Sequence, residues 1–342
     1  MRALYKISFV LVILLVFGFV AFSWSCTKNG GDIIDKNGDG RINVLCTGVD
    51  EVSNNTDTII LVSLDTKEKT VCLLHIPRDT YFGKDTSNNK INNMYSTYLS
   101  QSKSERDALS FVRDSVSQAF ALPIDYYASF GLSDLADIVD SLGGVQVDIP
   151  CDMNYEDEAQ SLSIRLKKGV QVLDGNEAML FVRYRSTYVE GDIGRIDAQK
   201  IFISALFGRL RENKSLSSLT SFARKAVKSA RTDIPLDVAL SLVKSFGSDL
   251  SGYSVTYITL PGEAIKDDLD TGLWYYVLNR EATLDVLKKY YSQDLIPVAF
   301  DREELFVNEK NIGFENIYFA SDYDYKTYTD EQISQIDIKL QQ

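Results

Sequence analysis

The sequence predicts an α/β (α+β) layered fold, in which a central mixed β-sheet is flanked by helices and follows an N-terminal transmembrane helix. Three observations lead to this prediction. Apolar runs of strand length alternate along the chain with segments of helical periodicity. The 342 residues are 45% hydrophobic and 25% charged, which is enough to bury a large core. One uncharged stretch near the N-terminus has the length of a membrane span.

The membrane segment is residues 7–24, "ISFVLVILLVFGFVAFSW", which contain no charged side chain. As a helix they would extend about 27 Å, close to the hydrocarbon thickness of a bilayer. Arg2 and Lys6 precede the run, so the positive-inside rule places the N-terminus in the cytoplasm. We expect residues 1–26 to be an uncleaved single-pass anchor in the cell membrane, with the remaining chain on the extracellular face. A cleaved signal peptide and a lipid-modified Cys26 are the alternatives.

Residues 27–41, "TKNGGDIIDKNGDGR", are polar and glycine-rich, which is typical of a linker. Asp35, Asn37 and Asp39 also have the spacing of the first half of a calcium-binding loop. The twelfth position of such a loop needs a bidentate glutamate, and this sequence has Cys46 there. The composition therefore favours a linker over a calcium site.

Three strands open the domain predicted for residues 42–212. They are residues 42–50, 58–64 and 70–76, and the turn "DTKEK" makes the last two a hairpin. Two predicted helices follow, "SERDALSFVRDSVSQAFALP", with a cap at Ser104 and a stop at Pro123, and "SDLADIVDSLGG". After the strand "VQVDIP", two more helices are predicted. They are "GNEAMLFVR", capped by Asp174, and "DIGRIDAQKIFISALFGRL", which begins at Asp192.

The C-terminal third is less regular. Residues 213–300 are expected to be an α/β extension of the core around the strand "YSVTYITLP". Residues 301–342 are acidic, rich in tyrosine and without clear periodicity, which predicts a partly disordered tail.

Composition excludes several functions. The net charge of −12 disfavours nucleic acid as a partner, so any phosphorylated ligand must use a local basic patch. His75 is the sole histidine and lies in mid-strand, which excludes histidine-rich metal sites and disfavours a serine triad. The sequence has neither a phosphate-binding P-loop nor a dinucleotide-binding glycine motif. Its four cysteines lack metal-ligand spacing, and Cys46 and Cys72 are expected to be free and buried.

Arginines provide the first candidate site. Arg183 and Arg185 are two residues apart and would share one side of an extended segment. Arg195 and Gln199 are four apart on a predicted helix, and Arg195 lies in its first turn, where the helix dipole favours anions. Guanidinium groups bind phosphate oxygens in bidentate fashion, so converging arginines would hold a diphosphate. Solvated arginines paired with neighbouring carboxylates fit the same spacing.

Carboxylates at strand ends provide the second candidate. Asp50 ends the first strand, Asp57 precedes the second, and Arg78 leaves the third in "LLHIPRDTYF". Two aspartates at adjacent strand ends could share a magnesium ion, which prefers few carboxylates plus phosphate oxygens. Turn-forming aspartates are the alternative interpretation.

These residues lie in ordered blocks that resemble the LytR-CpsA-Psr (LCP) family of exported, membrane-anchored phosphotransferases. The blocks are "GVD", "TDTIILVSLD", "IPRDTY", "KIN", "LPIDYYASF", "LADIVDSLGGVQVDIP", "LKKGVQVLDGNEAMLFVRYR" and "GDIGRIDAQ". The resemblance implies an LCP-type catalytic domain at 42–212. It also implies transfer of a glycopolymer, such as teichoic acid or capsular polysaccharide, from a polyprenyl diphosphate carrier to peptidoglycan.

The resemblance assigns a role to each candidate residue. Asp50 and Asp57 would hold magnesium, and Asp192 would be the base. Asp79 would anchor its loop. The residues implied to hold the diphosphate are Arg78, Arg183, Arg185, Arg195 and Gln199, of which Arg78 and Arg195 would also be catalytic.

Two departures from the family pattern flank the expected site. The segment between Asp50 and Asp57 is short and lacks an arginine, and "NMYSTYLSQSKSE" replaces the usual small, glycine-rich stretch. Both affect the expected acceptor or polymer preference. A polyprenyl diphosphate hydrolase and a non-catalytic binder of lipid phosphates are the rival functions.

Overall fold

The structure is a computed structural model. It describes residues 41–50, 53–82, 89–158, 162–212, 230–239, 252–266, 272–291, 327–330, 332–336 and 338–341, with a few single residues between 220 and 228. The expected anchor at 7–24, Cys26 and the linker up to residue 40 lie outside the described residues. Within the described ranges, no helix is both long and apolar enough to cross a membrane.

The centre of the fold is a mixed sheet, whose described strands are β1 Arg41–Val49, β2 Thr56–Asp65, β3 Thr70–Ile76, β4 Tyr126–Phe130, β9 Arg231–Thr232, β10 Ser254–Thr259 and β13 Thr327–Thr329. These seven strands lie in the order β13-β10-β3-β2-β1-β4-β9. β1, β2 and β3 form an antiparallel meander, whereas β4 runs parallel to β1 and β10 runs parallel to β3. The sheet confirms the predicted central mixed sheet.

The other described strands are β5 Val145–Ile149, β6 Met153–Asp157, β7 Leu162–Leu166, β8 Gly169–Leu173, β11 Gly262–Lys266 and β12 Trp274–Leu278. They form three two-stranded sheets, in which β5 pairs with β8, β6 with β7 and β11 with β12. The described helices are α1 Met94–Ser102, α2 Glu105–Phe120, α3 Leu132–Ser141, α4 Gly175–Arg183, α5 Asp192–Glu212 and α6 Arg280–Tyr290. Short 3₁₀ turns occupy Ile91–Asn93 and Ile333–Gln335.

Helices cover both faces of the sheet because the central strands are apolar on both faces. In β1, Val44 and Cys46 belong to the core that also contains residues of α3, α4 and α5. Leu45 and Val49 point the other way, into a second core with residues of α1, α2 and α6. This period-two division of one strand between two cores places the sheet in the middle of three layers.

The predicted helix boundaries are confirmed by their caps. The Ser104 hydroxyl accepts a hydrogen bond from the Asp107 amide, and α2 ends at Ala121 in a left-handed conformation. Asp174 and Glu177 form a capping box at the start of α4, and α5 begins at Asp192 as predicted. At these helix starts, the Ser104, Asp174 and Glu177 side chains accept hydrogen bonds from backbone N–H groups that have no partner inside the helix.

His75 and the central cysteines behave as buried core residues. His75 is 1% exposed in β3, and burial together with the nearby Lys200 charge lowers its pKa, which opposes a role as a general base at neutral pH. Cys46, Cys72 and Cys151 are free and buried, as expected for the first two. Burial raises the pKa of the Cys72 thiol to about 12, so this thiol is unreactive.

The C-terminal residues contribute to the central sheet. β10 lies beside β3, the outer strand of the β1–β2–β3 meander, and β13 pairs antiparallel with β10 through Thr256–Thr329 and Ile258–Thr327. Ile336 and Ile338 are buried in the same core as α5. The described part of the expected tail is therefore packed against the domain, through a strand of three residues that is too short to produce a period-two pattern.

Candidate active site

A cavity of about 460 Å³ at one edge of the central sheet gathers the residues predicted for the site. Its walls come from the ends of β1 to β3, the β6–β7 hairpin, the end of α4 and the first turns of α5. The predicted residues that line it are Asp50, Asp57, Arg78, Arg183, Arg185, Arg195 and Gln199. Asp192 contacts two of these arginines, Arg78 and Arg195.

The antiparallel meander explains why three of these residues meet. β1 ends where β2 begins, and Ile59 near the start of β2 pairs with Ile76 at the end of β3. Asp50, Asp57 and Arg78 therefore leave three neighbouring strands at the same edge of the sheet. Asp50 is 6% exposed there, so its carboxylate is directed into the protein rather than into bulk solvent.

Helix α5 brings the second group of residues to the cavity. Arg195 and Gln199, one turn apart, both line it, and the Gln199 amide donates a hydrogen bond to the Val182 carbonyl at 3.3 Å. Next to Arg195, a Cβ atom at Gly194 would lie 2.7 Å from the Tyr188 Cβ. Only glycine allows Tyr188 to pack this closely against the helix, and no local sequence pattern indicates that contact.

Arg183 and Arg185 reach the cavity in a different way from the one predicted. They were expected to share one side of an extended segment, but Arg183 is the last residue of α4 and only Tyr184 after it is extended. The reason is the capping box at Asp174, which stabilises a helix that runs through Arg183. Both arginines nevertheless line the cavity.

Four residues from three parts of the chain form a connected ion-pair network. Arg78 Nη1 lies 3.0 Å from Asp57 Oδ1, and Arg78 Nε lies 3.4 Å from Asp192 Oδ1. Arg195 Nη2 lies 2.7 Å from the same Asp192 oxygen and donates to the Asp57 carbonyl at 2.9 Å. The network fixes the two guanidinium groups side by side, at the junction of β2, β3 and α5.

Burial and charge act in opposite directions on these arginines. Burial lowers the pKa of Arg195, which is 8% exposed, and the neighbouring Arg78 and Arg185 charges add to this effect, whereas Asp192 and Asp57 oppose it. At Arg78 burial also disfavours the charge, but Asp192, Asp57 and Asp79 together raise the pKa above its ordinary value. Arginine stays protonated throughout. The lowered pKa of Arg195 therefore reflects a charge that the protein carboxylates compensate only in part.

Burial disfavours the charge of Arg183 as it does that of Arg195. Burial lowers the pKa of Arg183, and Asp50, Asp157 and Tyr155 act against this effect. Cationic groups outnumber acidic groups in the cavity wall, which comprises Arg78, Lys90, Arg183, Arg185 and Arg195 against Asp50, Asp57 and Asp79. A protein with a net charge of −12 therefore contains a local basic patch at this cavity, as the binding of an anion requires.

Two guanidinium N–H groups lack a hydrogen-bond acceptor. Among the described residues, no atom accepts from the buried Nε of Arg78 or the buried Nε of Arg195. Asp192 lies within 3.4 Å of the Arg78 Nε but outside hydrogen-bonding geometry. Buried donors are rarely left unpaired, because each costs the full desolvation of a polar group. Both donors are therefore available to an anion that enters the cavity.

The loop after β3 contains site residues that the sequence did not single out. Lys90 lines the cavity, and its Nζ lies 2.7 Å from Asp79 Oδ1. The Asp79 carbonyl also accepts from the Tyr276 amide at 2.8 Å, in agreement with the expected anchoring role of Asp79. Asn92, whose backbone amide donates to the Arg78 carbonyl at 3.2 Å, also lines the cavity. Both Lys90 and Asn92 belong to the "KIN" block.

The apolar part of the wall comes from the β6–β7 hairpin and α4. Tyr155, Leu162, Ile164 and Val182 supply it. The apolar residues of the helical segments "LSFVRDSVSQAF" and "KIFISALFGRL" pack into the two cores instead.

The donor set fits magnesium if a ligand completes it. In the described part of the chain, no group of three or more His, Cys, Asp or Glu side chains is placed to hold a metal ion. Asp50 and Asp57 do line the same cavity, beside the arginines. Magnesium commonly takes one or two protein carboxylates and completes its octahedron with phosphate oxygens and water.

Comparison with known proteins agrees with this geometry. The polyisoprenyl-teichoic acid--peptidoglycan teichoic acid transferase TagV of Bacillus subtilis (strain 168) is 29% identical over 245 residues, which cover 70% of this chain and 60% of TagV. The transferase TagU of Bacillus cereus (strain ATCC 14579) is 29% identical over 257 residues, which cover 72% of this chain and 77% of TagU.

The fold is similar as well. The crystal structure of B. subtilis TagV superposes with a TM-score of 0.59 at 25% identity, and the match covers 74% of this chain and 96% of that one. The sequence model of the LytR_cpsA_psr family matches residues 24–291. This match includes every residue of the cavity wall described above, and the chain belongs to the LytR_cpsA_psr family.

Proposed function

We propose that the chain is a phosphotransferase that moves a glycopolymer of the teichoic acid or capsular polysaccharide type from a polyprenyl diphosphate carrier to peptidoglycan. The observation that carries this proposal is a pair of buried guanidinium donors, the Nε groups of Arg78 and Arg195, which have no acceptor among the described residues and lie beside two carboxylates in one cavity. The printed names of TagV and TagU support it. The chain spans 60% of the length of TagV, so the name of that relative does not by itself establish the activity of this chain.

The arginines bind the diphosphate. Arg78 and Arg195 direct their Nε donors to its oxygens, and Arg183 and Arg185 approach from the end of α4. Gln199, one turn after Arg195, contributes an amide at the same wall. Charge-assisted hydrogen bonds from buried guanidinium groups are stronger than those between neutral groups, and they are already aligned before the ligand arrives.

The reaction is a displacement at the phosphorus atom that carries the glycopolymer. The acceptor hydroxyl oxygen forms a new P–O bond, and the bond from this phosphorus to the bridging oxygen breaks. Polyprenyl monophosphate leaves with the electron pair, and the hydroxyl proton passes to the Asp192 carboxylate. Asp192 also contacts Arg78 and Arg195, so the same side chain holds the two arginines that offset the charge of the leaving group.

Asp50 and Asp57 would hold magnesium. When bound, the ion would offset negative charge on the diphosphate oxygens. The Asp57 carboxylate also pairs with Arg78, so the metal side and the arginine side of the site share this residue. The apolar wall at Tyr155, Leu162 and Ile164 would contact the first isoprene units of the carrier.

We further propose that residues 7–24 form an uncleaved anchor, which places the catalytic domain on the extracellular face of the cell membrane. The support is the uncharged 18-residue stretch with positive charges on its N-terminal side. This location brings the cavity to the side of the membrane where peptidoglycan lies.

The transfer reaction can be tested with purified protein, a lipid-linked oligosaccharide and a peptidoglycan acceptor. We expect oligosaccharide phosphate to become attached to the glycan in a magnesium-dependent reaction. Release of free phosphorylated sugar in place of attachment would show a hydrolase, and binding without turnover would show a non-catalytic binder. Either result would contradict the proposed transferase.

Substitution of the buried arginines should weaken binding of a polyprenyl diphosphate. Arg195→Ala and Arg78→Ala each remove charge-assisted contacts worth about 1.5 to 3 kcal/mol, so we expect about tenfold to hundredfold weaker affinity. Lysine at these positions should restore only part of it, because an ammonium lacks the planar guanidinium geometry. Affinity for the bare prenol should change little.

Arg165→Ala is the matched control, since this arginine is 77% exposed and pairs with Glu156 on the surface. It should bind the diphosphate like the wild type, in keeping with the small contribution of exposed ion pairs. Equal diphosphate affinity of all three alanine variants, at unchanged melting temperatures, would remove the arginines from the site.

Asp57→Asn should impair metal binding. In the presence of a polyprenyl diphosphate, we expect its affinity for Mn²⁺, used as a spectroscopic substitute for magnesium, to fall by more than the roughly 10–100-fold typical of lost outer-shell contacts. Asp79→Asn is the control in the same cavity, because Asp79 pairs with Lys90. Wild-type Mn²⁺ affinity in Asp57→Asn would exclude a metal at this residue.

The anchor can be tested in intact cells by protease treatment and N-terminal sequencing. We expect protease to reach the domain from outside and the mature chain to retain residues 7–24, because an uncharged helix of this length remains in the bilayer. A mature N-terminus near Trp24 or at Cys26 would contradict an uncleaved anchor.

A further inference from the structure

The C-terminal residues of the domain return from the sheet to the active site. We define the C-terminal strap as the described residues of 327–341. It begins as β13 at the edge of the central sheet, makes a 3₁₀ turn at Ile333–Gln335, and ends in an antiparallel bridge between Leu340 and Tyr188. Ile336 and Ile338 are 9% and 7% exposed, so the middle of the strap is part of the core.

The first half of the strap is attached to strand β10 and to helix α5. Asp330 pairs with Arg211 near the end of α5 at 2.6 Å and accepts from the Tyr257 hydroxyl in β10 at 2.8 Å. The Lys200 ammonium lies 5.5 Å from the centre of the Tyr328 ring. The strap therefore starts from a rigid attachment on the sheet and on the helix that carries Arg195.

The second half of the strap binds the backbone of residues 184–191, which we call the arginine loop. The Val189 amide donates to the Lys339 carbonyl at 2.9 Å, and the Gln341 amide donates to the Thr187 carbonyl at 2.8 Å. Lys339 and Glu190 add an ion pair at 2.6 Å, in which both side chains are well exposed. Backbone hydrogen bonds on both sides of Tyr188 determine where this loop lies.

The arginine loop connects the two groups of anion-binding residues. Arg185 lies within it, two residues after the end of α4, and Asp192 and Arg195 follow it in the first turn of α5. Tyr188 packs against Gly194, and the Arg195 amide donates to the Gly191 carbonyl at 3.2 Å. A displacement of this loop would move Arg185 relative to Arg195 and shift the start of the helix.

We propose that residues 339–341 of the strap are a positioning segment for the active site, holding Arg185 and Asp192 in place for the diphosphate. The proposal rests on the proposed function. The family match ends at residue 291, so the strap lies beyond it. No strap residue is in the cavity wall. Its action is indirect: it holds the loop in the conformation that binds the ligand, so less ordering is needed when the diphosphate arrives.

The test uses two substitutions at one exposed residue of the full chain. Gln341→Pro removes the amide that donates to the Thr187 carbonyl, because proline has no N–H. Gln341→Ala is the matched control, since it keeps this amide and changes only an exposed side chain. Lys339→Ala is a second control that removes the exposed ion pair with Glu190 and keeps the backbone pairing.

Each variant is measured for hydrogen exchange at residues 187–193. Its affinity for a polyprenyl diphosphate donor, and kcat and KM with that donor, are measured as well. For Gln341→Pro we expect faster exchange in this region, unchanged exchange in β1 to β3, and about tenfold to hundredfold lower kcat/KM, the scale reported for small misplacements of reacting groups. Gln341→Ala and Lys339→Ala should match the wild type. A chain ending at Ile338 should reproduce the proline variant.

The outcomes separate this inference from the function on which it rests. If the wild type binds the diphosphate and Arg195→Ala weakens that binding, but Gln341→Pro equals Gln341→Ala in exchange and in kcat/KM, the strap does not position the site. If the wild type binds no diphosphate at all, the proposed function fails, and the role of the strap fails with it. A loss of kcat/KM accompanied by faster exchange throughout the sheet would show general destabilisation and would also overturn the proposal.

Discussion

The site depends on the cost of burying arginines in an acidic protein. Guanidinium groups lose hydration when buried, and this loss must be offset by carboxylates or by a bound anion. Asp57 and Asp192 offset part of it for Arg78 and Arg195, yet the Nε donors of both arginines have no acceptor among the described residues. These donors remain available to a ligand that enters the cavity. The diphosphate of a lipid carrier has the charge and the oxygen geometry to complete them.

The fold supplies this cavity by simple means. An antiparallel meander places the ends of β1 and β3 beside the start of β2, so Asp50, Asp57 and Arg78 meet without any long connection. Helix α5 crosses the same edge and adds Arg195, and its packing against the core fixes that helix firmly. Preorganised charges of this kind favour a transition state because they need no rearrangement during the reaction.

Local sequence patterns predicted much of this arrangement. Apolar runs indicated the first three strands, and caps at Ser104 and Asp174 indicated two helix starts, because both signals depend on residues close in the chain. The extended segment expected to contain Arg183 and Arg185 was wrong, because the predicted helix capped at Asp174, nine residues before Arg183, runs through Arg183. Contacts such as that of Lys339 with Glu190 join residues 149 positions apart, and neither periodicity nor composition reveals such pairs. Lys90 was overlooked for the same reason, since its partner Asp79 lies on another segment.

The most direct test of the central claim is a crystal structure of the protein with a bound polyprenyl diphosphate. The account requires diphosphate oxygens within hydrogen-bonding distance, about 2.7 to 3.2 Å, of both the Arg78 Nε and the Arg195 Nε. It also requires the ion pairs of Asp192 with these arginines to persist. A diphosphate bound elsewhere, or bound in this cavity with both Nε donors still unpaired, would contradict the account.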